Sequence, residues 1–339
     1  ALIGNDANPA ATAGLEAKLK AAGAKDIKAL SRKGWLQFSK PVNPGFDIWT
    51  HNQGGPDQSF VNNDKAAGPW DEIRWVGEPR WGALYSTYHG RVTAGGRLYY
   101  NENLKAMGGG TMVWLVGRDA WNGFELWRIP IGPTPKYGTM GATLTCDETQ
   151  VYCVESNQTL TARDGRSGQK VREYAPGFIP TVVTAVGSVL LTCDLAINPA
   201  VATKVAALDK DSGKVLWTRP GIVHPPAENG TAFVFNGTEL EGVEIATGAS
   251  RWKVKTETCP GYVRLFCKAG VVYGIYMPPY KPLARLVAYD AKNGARLWKK
   301  EEPGCGYGAL PYADEFWMLA YTNGTAMEVM PHLTARSAA

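Results

Sequence analysis

Hydrophobic and polar residues alternate in short runs along most of the chain, and turns rich in glycine separate the runs. In the stretch 205-VAALDKDSGKVLWTRPG-221, an alternating run ends at an acid, a glycine follows four residues later, and a tryptophan follows four after that. Alternation with a period of two predicts a strand with one buried face, and the glycine predicts a turn residue with positive φ. The stretch therefore predicts a β-hairpin whose return strand carries a tryptophan.

This hairpin occurs five times, with successive turn glycines 45, 45, 35 and 46 residues apart. A second hairpin separates the copies, so each unit holds four antiparallel strands in roughly 35 to 46 residues, the period of a propeller blade. The acid is expected to bond the turn backbone, and the tryptophan to cover the seam to the next blade. The acids are Asp119, Asp164, Asp209, Glu244 and Asp290; the glycines are Gly123, Gly168, Gly213, Gly248 and Gly294; the closing residues are Trp127, Arg172, Trp217, Trp252 and Trp298.

The motif acid-x-x-[TSN]-G-x-x-x-W between residues 112 and 299 resembles the quinoprotein-like (PQQ-like) propeller repeat. The resemblance implies an all-β propeller. A sixth unit has a hairpin at 306–321 and a strand at 325–330 but no outer strand, and we predict that residues 72–79 supply it. We expect six blades, because seven or eight would need repeat units that this sequence lacks.

The N-terminal part of the chain does not follow the repeat. Residues 1–40 predict a small α/β appendage with a helix near Leu15 to Ala22, residues 41–70 a lead-in, and residues 71–339 the propeller. Within the lead-in, residues 47–64 resemble the segment that precedes many quinoprotein-like propellers and are expected to form an ordered loop that plugs or covers the ring. The appendage resembles the end of a class I methyltransferase-type domain, but the glycine-rich cofactor loop is absent, so methyl transfer is not expected. The opening ALIGND resembles the end of a buried strand, which suggests a processed protein or a piece of a longer one.

Composition narrows the function classes. The net charge is +5, but basic residues are scattered among acids, so no nucleic-acid surface is expected. No apolar run approaches the ~20 residues of a transmembrane helix. The six cysteines form no CxxC pair, which argues against zinc and c-type haem. They fit either buried thiols or disulfides; the candidate pairs are Cys259 with Cys305, at matching entries of neighbouring blades, and Cys146 with Cys153, which flank one hairpin but are out of direct register.

The sharpest site hypothesis is a ring of polar aromatic side chains at one mouth of the axial channel. The residues concerned precede or open the innermost strands, and they are Tyr88, His89, Tyr137, His224, Tyr262 and Tyr307. The alternative is that these side chains only pack between blades.

Three functions remain open. The first is a non-catalytic scaffold outside the cytoplasm (periplasm, cell envelope or secreted) that binds a protein or small-molecule partner. It would resemble the outer-membrane assembly lipoprotein of the quinoprotein-like class. The second is a carbohydrate-active lyase or hydrolase that uses His and Tyr at the channel mouth. The third is a PQQ-dependent dehydrogenase with calcium, although the vicinal cysteine pair of that family is absent. We predict no metal and no cofactor.

Overall fold

The computed structural model describes residues 2–4, 14–39, 45–52, 54–59, 61, 65, 88–105, 111–133, 144–155, 158–194, 203–256, 262–277, 283–303, 306–312, 315–322 and 326–330. The chain divides into two compact units. One comprises Ala1–Asp47 with Asn63–Trp70, and the other comprises Ile48–Asn62 with Asp71–Ala339. The predicted lead-in, residues 41–70, is thus divided between them.

The first unit is a three-stranded antiparallel sheet with one short helix. Its elements are β1 (Leu2–Gly4), α1 (Leu15–Ala21), β2 (Lys25–Ala29) and β3 (Trp35–Ser39), and the strand order is β1-β3-β2. The helix begins after Gly14, whose φ is 74°, and ends before Gly23, whose φ is 80°. Across the part of the chain that the structure describes, we find no helix with the length and apolar character needed to cross a membrane.

The second unit contains five four-stranded antiparallel sheets in which sequential strands pair, and these sheets are the predicted blades. The first strand of the second blade contacts the first strands of the first and third blades, and the first strands of the fourth and fifth blades contact each other, as expected of innermost strands around a propeller axis. The blades are β4 (Tyr88–Ala94), β5 (Arg97–Lys105), β6 (Thr111–Asp119) and β7 (Glu125–Pro133); β8 (Leu144–Cys146), β9 (Gln150–Val154), β10 (Leu160–Asp164) and β11 (Lys170–Tyr174); β12 (Val182–Val186), β13 (Val189–Cys193), β14 (Lys204–Asp209) and β15 (Val215–Pro220); β16 (Ala227–Glu228), β17 (Thr231–Phe235), β18 (Glu239–Glu244) and β19 (Ser250–Lys255); β20 (Tyr262–Lys268), β21 (Val271–Met277), β22 (Leu283–Asp290) and β23 (Arg296–Pro303).

A sixth sheet has three strands, β24 (Gly306–Tyr312), β25 (Glu315–Thr322) and β26 (Ala326–Met330). Its three strands are those that the sequence predicted for the incomplete unit. Residues 72–79, predicted to add the fourth strand, lie outside the described residues. The prediction of an all-β, six-bladed quinoprotein-like propeller with a small α/β appendage is confirmed.

Hydrophobic clusters lie at the seams between blades. One cluster joins the fourth and fifth blades, where Phe233 and Phe235 pack with Val263 and Leu265. Similar clusters join the first blade to the second, the second to the third, and the third to the fourth. Because the inner strands are covered on both faces, β13 is buried at all five positions, unlike a strand with one solvated face.

Side-chain hydrogen bonds from the outer strands close the same seams. The indole nitrogens of Trp127, Trp217 and Trp252 donate to the carbonyls of Gly165, Ile245 and Ala291 at 3.1, 2.8 and 2.9 Å. In each case the acceptor directly follows the turn acid of the next blade. The motif tryptophan is therefore a specific hydrogen-bond donor to the neighbouring blade as well as an apolar cover.

The second blade uses another residue for this bond. Arg172 occupies the tryptophan position, and the hydroxyl of Tyr174, two residues later, donates to the carbonyl of Lys210 at 2.7 Å. Lys210 directly follows the turn acid Asp209, so the acceptor position is unchanged. The seam is thus kept by a different side chain on the same strand.

The turn residues have the geometry that their types imply. One carboxylate oxygen of Asp164 accepts the amides of Arg166 and Ser167 at 3.0 and 2.8 Å. The five motif glycines have φ between 72° and 75°, the left-handed region that favours glycine. At Gly248 the preceding blade also approaches closely, because an added Cβ would lie 2.6 Å from Cγ of Trp217.

Candidate functional site

The segment 49–58, of which residue 53 is not described, lies against the innermost strands; we call it the axial segment. Each of the five complete blades donates one backbone amide to it. The donors are Thr93, Cys146, Ala185, Ala227 and Cys267, and the acceptors, in the same order, are the carbonyls of Trp49 and Thr50, Nε2 of His51, and the carbonyls of Pro56 and Asp57, at 2.7, 2.9, 3.1, 2.8 and 2.9 Å.

The five donors occupy the same register position in their blades. Thr93, Ala185, Ala227 and Cys267 each lie one residue before the last paired residue of the inner strand; Thr93, for example, precedes Ala94, which pairs with Arg97 across the turn. Cys146 likewise precedes Asp147, whose amide donates to the Gln150 carbonyl across the turn at 2.9 Å. The innermost strand has a partner on one side only, so these amides are available to the axis. In the sixth sheet the equivalent position is Pro311, which has no amide proton to donate.

A tight turn divides the axial segment into two anchored halves. His51 and Gly54 exchange backbone hydrogen bonds of 3.1 and 3.0 Å, and Gly54 has φ 96°. The first half accepts hydrogen bonds from the first, second and third blades, and the second half accepts them from the fourth and fifth. The turn therefore supplies the extra chain length needed to step from the third blade to the fourth.

The second half is held by a carboxylate. Asp57 accepts a hydrogen bond from the Ser59 hydroxyl at 3.0 Å and forms an ion pair of 3.2 Å with Lys268 of the fifth blade. Both side chains of the ion pair are mostly covered, with 17% of Asp57 and 25% of Lys268 exposed. The pair therefore reinforces the backbone bond from Cys267 to Asp57.

His51 is the one side-chain acceptor in this set of five bonds, and only 5% of it is exposed. Because the Ala185 amide can only donate, Nε2 must carry a lone pair, and the neutral ring holds its proton on Nδ1. Nδ1 lies 2.8 Å from the hydroxyl oxygen of Thr50, which accepts a hydrogen bond from the Nδ1–H group. Burial, aided by the positive charges of His224 and Lys210, lowers the pKa of His51 to about 3.

His224 is the predicted mouth residue whose side chain the structure describes. Its Nε2 is hydrogen-bonded to the hydroxyl of Thr184 on β12, and its carbonyl accepts from the side-chain amide of Gln58 at 3.4 Å. Desolvation, with a contribution from Arg264, lowers the pKa of His224 to about 3. His224 as a whole is partly exposed, whereas only 5% of His51 is exposed.

The remaining predicted mouth residues stay a prediction. Tyr88 and His89 open β4, Tyr262 opens β20 and Tyr307 lies in β24; the description there is of the backbone only. Tyr137 lies outside the described residues. The structure instead places His51 close enough to His224 for their charges to interact. His51 was not among the residues predicted for the site. Its position in the lead-in was the one sequence signal that could have pointed to it.

Four cysteines are buried free thiols. They are Cys146, Cys153, Cys193 and Cys267. The candidate disulfide between Cys146 and Cys153 is wrong: Cys146 pairs with Val151 and Cys153 with Leu144, so the two cysteines are not opposite each other. Cys259 and Cys305 lie outside the described residues. Burial raises the pKa of Cys153 to about 11, so this thiol is unreactive at neutral pH.

A metal centre finds no support in the side chains that the structure describes. Among them, no group of three or more His, Cys, Asp or Glu residues is arranged to hold an ion. The carboxylate of Asp57, an oxygen donor of the kind that calcium prefers, is engaged by Ser59 and Lys268.

The repeated blades, their tryptophan–carbonyl seams and the turn glycines define a quinoprotein-like β-propeller. Within this class, the chain belongs to the family described as outer membrane protein assembly factor BamB, whose model matches residues 76–221 and 202–327. The match begins at residue 76 and gives no support to the methyltransferase resemblance of the N-terminal tail. No curated protein sequence matches the chain.

Solved propellers resemble the chain at low sequence identity. BamB from Moraxella catarrhalis is 13% identical, with 69% of this chain and 81% of that chain covered and a TM-score of 0.45. Quinohemoprotein alcohol dehydrogenase ADHIIG from Pseudomonas putida HK5 is 11% identical (75% and 48% covered, TM-score 0.51), and that from Comamonas testosteroni is 12% identical (84% and 52% covered, TM-score 0.50). The chain spans about half of each dehydrogenase, and the likeness concerns the fold.

Proposed function

We propose that this protein is a non-catalytic scaffold that acts outside the cytoplasm and binds a protein partner during assembly of outer-membrane proteins. One observation carries the proposal: five inner-strand amides, one from each complete blade, are bonded to the protein's own axial segment. The axis is where a propeller enzyme gathers polar groups around a substrate, and here those groups bind a piece of the chain. The family description supports the same class of function.

The histidines near the axis support a structural role. A general acid or base needs a nitrogen that can reach the substrate. In His51 both ring nitrogens are engaged, by Ala185 and Thr50, and in His224 Nε2 is engaged by Thr184. A ring held in this way, with a pKa near 3, is a poor base at neutral pH because its conjugate acid is too strong.

PQQ, which the fold class implies, does not fit the residues present. No two cysteines are adjacent in the sequence, so the disulfide ring that PQQ dehydrogenases place beside the quinone cannot form. The described carboxylates near the axis do not cluster as calcium ligands, since Asp57 is paired with Lys268.

An exposed aromatic side chain supports binding of a protein. Phe124 follows the turn glycine of the first blade and is 72% exposed. The equivalent residues of the other four repeats are Gln169, Lys214, Ala249 and Ala295. Aromatic side chains dominate the binding energy of protein interfaces. The first blade alone among the five repeats has an aromatic residue at this position, as expected of a surface that contacts a partner.

A photo-cross-linking experiment in the native host tests the proposal. A photoreactive phenylalanine analogue is placed at Phe124 and, as a matched control, at Lys214, which is exposed and occupies the same position in the third blade. We expect one prominent cross-link to an envelope protein from position 124 and little from position 214. Equal labelling at both positions, or none at either, would argue against this contact surface.

A second experiment separates scaffold from enzyme. Deletion of the gene should lower the amount of outer-membrane β-barrel proteins, and both the wild type and His224→Asn should restore it. Asn keeps a polar side chain at the bond to Thr184 but cannot act as a base. Loss of complementation by a folded His224→Asn protein would favour the carbohydrate-active alternative.

A further inference from the structure

Of the five amide bonds that hold the axial segment, one has an acceptor that titrates. Four of its five acceptors are backbone carbonyls, which do not titrate in the range where proteins are stable. The fifth is Nε2 of His51, which accepts the Ala185 amide at 3.1 Å. Protonation would place a hydrogen on Nε2, opposite the amide hydrogen, so two donors would face each other and the bond would be lost.

We propose that the axial segment is an acid-releasable strap: protonation of His51 detaches its central part from the third blade, while its two ends stay bound to the other blades. This inference does not depend on the proposed scaffold function. Release in acid would be a property of this segment, because the propeller fold alone does not require it.

The surroundings of His51 favour release over accommodation of the charge. Thr50 faces Nδ1 with a hydroxyl, and β12 presents a backbone donor to Nε2. The charged groups that act on the ring are His224, which precedes β16, and Lys210, which follows β14; both are cationic when protonated. Lys210 is paired with Asp147 at 2.6 Å, so that carboxylate already has a partner. Among the described residues, the groups whose charges act on His51 therefore supply no anion for an imidazolium.

The geometry also limits how far release extends. Trp49 and Thr50 on one side, and Pro56 and Asp57 on the other, are held through carbonyls. Between the two halves lie Gly54 and Gly55, whose conformational freedom allows the turn to open without moving the anchors. The response should therefore be confined to residues 51–55 and the third blade.

The size of the response follows from proton linkage. The pKa of His51 is about 3 when bound, and a released ring would return to about 6.5. The ratio of released to bound strap then rises about 25-fold between pH 7 and pH 5. Most of this change occurs below pH 6.5, where a released imidazole gains its proton.

Hydrogen exchange of individual backbone amides, corrected for the intrinsic effect of pH, tests the strap in the full chain. In the wild type we expect the Ala185 amide to exchange about 25-fold faster at pH 5 than at pH 7, relative to an unstructured amide. The amides of Thr93 and Cys267 donate to carbonyls of the same segment and should change less than about threefold. Acceleration of all five amides together, or of none, would overturn the proposal.

A variant isolates the titrating group. In His51→Gln the side-chain oxygen can accept the Ala185 amide and cannot be protonated in this range, so the acceleration at Ala185 should disappear. An equal acceleration in wild type and His51→Gln would refute the role of His51. If the variant does not fold, the comparison of Ala185 with Thr93 within the wild-type protein decides the question.

Discussion

The close approach of Trp217 to Gly248 gives a quantitative test of how neighbouring blades are joined. Gly248 has φ 74° and Gly213 has φ 75°, so alanine at either position suffers the same left-handed backbone cost of about 1–2 kcal/mol. The two sites differ in their neighbours. An added Cβ at Gly248 would lie 2.6 Å from Trp217, whereas at Gly213 its nearest contact would be 3.6 Å, to Arg172 and Tyr174.

We therefore expect Gly213→Ala to lower the free energy of unfolding by about 1–2 kcal/mol through the backbone alone. Gly248→Ala should lower it by a further ~1–3 kcal/mol, because the indole must move and its 2.8 Å bond to the Ile245 carbonyl is disturbed. Urea denaturation followed by fluorescence and circular dichroism, with amide exchange in the fourth blade, measures both changes.

A third variant identifies the cause of the difference. In a Trp217→Gly background the three atoms that an added Cβ at Gly248 would meet, Cβ, Cγ and Cδ1 of Trp217, are all absent, so Gly248→Ala should cost no more than Gly213→Ala. The reasoning fails if Gly248→Ala and Gly213→Ala are equally destabilising in the wild-type background, or if the excess cost persists without Trp217.

Three further predictions concern single contacts. Tyr174→Phe removes the hydroxyl bonded to the Lys210 carbonyl and should cost about 0.5–1.5 kcal/mol in urea denaturation, whereas no change would mean that the seam does not need this bond. The pKa of His51 is about 3 in the folded protein and about 6.5 in the unfolded protein. The contribution of neutral His51 to the free energy of unfolding should therefore be complete above pH 6.5 and fall by up to about 1.4 kcal/mol per pH unit between pH 6.5 and 3. Thermal melts of His51→Gln should show a smaller slope than those of the wild type. Lys268→Met leaves Asp57 without its 3.2 Å ion pair and should accelerate exchange of the Cys267 amide more than that of Thr93, and equal acceleration would contradict the account.

The repeat was predictable because its information is local. Asp164 and Gly168 lie in one turn, and each specifies a backbone conformation that its neighbours need. Trp127 could be assigned to the seam because its spacing from the turn is constant among the copies that carry it. Such features are visible in a single sequence since residue type and position together determine them.

The axial segment was predictable as a lead-in loop that plugs or covers the ring, but its individual bonds were not. Its acceptors at Trp49, Thr50, Pro56 and Asp57 are backbone carbonyls, which every residue has, so residue type carries no signal for them. The seam donor Tyr174 was missed for a related reason, since a different side chain reaches the same carbonyl from two residues further along. Long-range pairing of this kind depends on where the blades place their edges, which the local pattern does not contain.

A crystal structure of the purified protein, determined without added ligand and read along the propeller axis, tests the central claim most directly. We predict continuous density for residues 49–58 with the amides of Thr93, Cys146, Ala185, Ala227 and Cys267 bonded to it. An axis vacated by this segment, with solvent or a small molecule bound to His224 and the inner-strand amides, would contradict the account and make a ligand-binding or catalytic channel the better description.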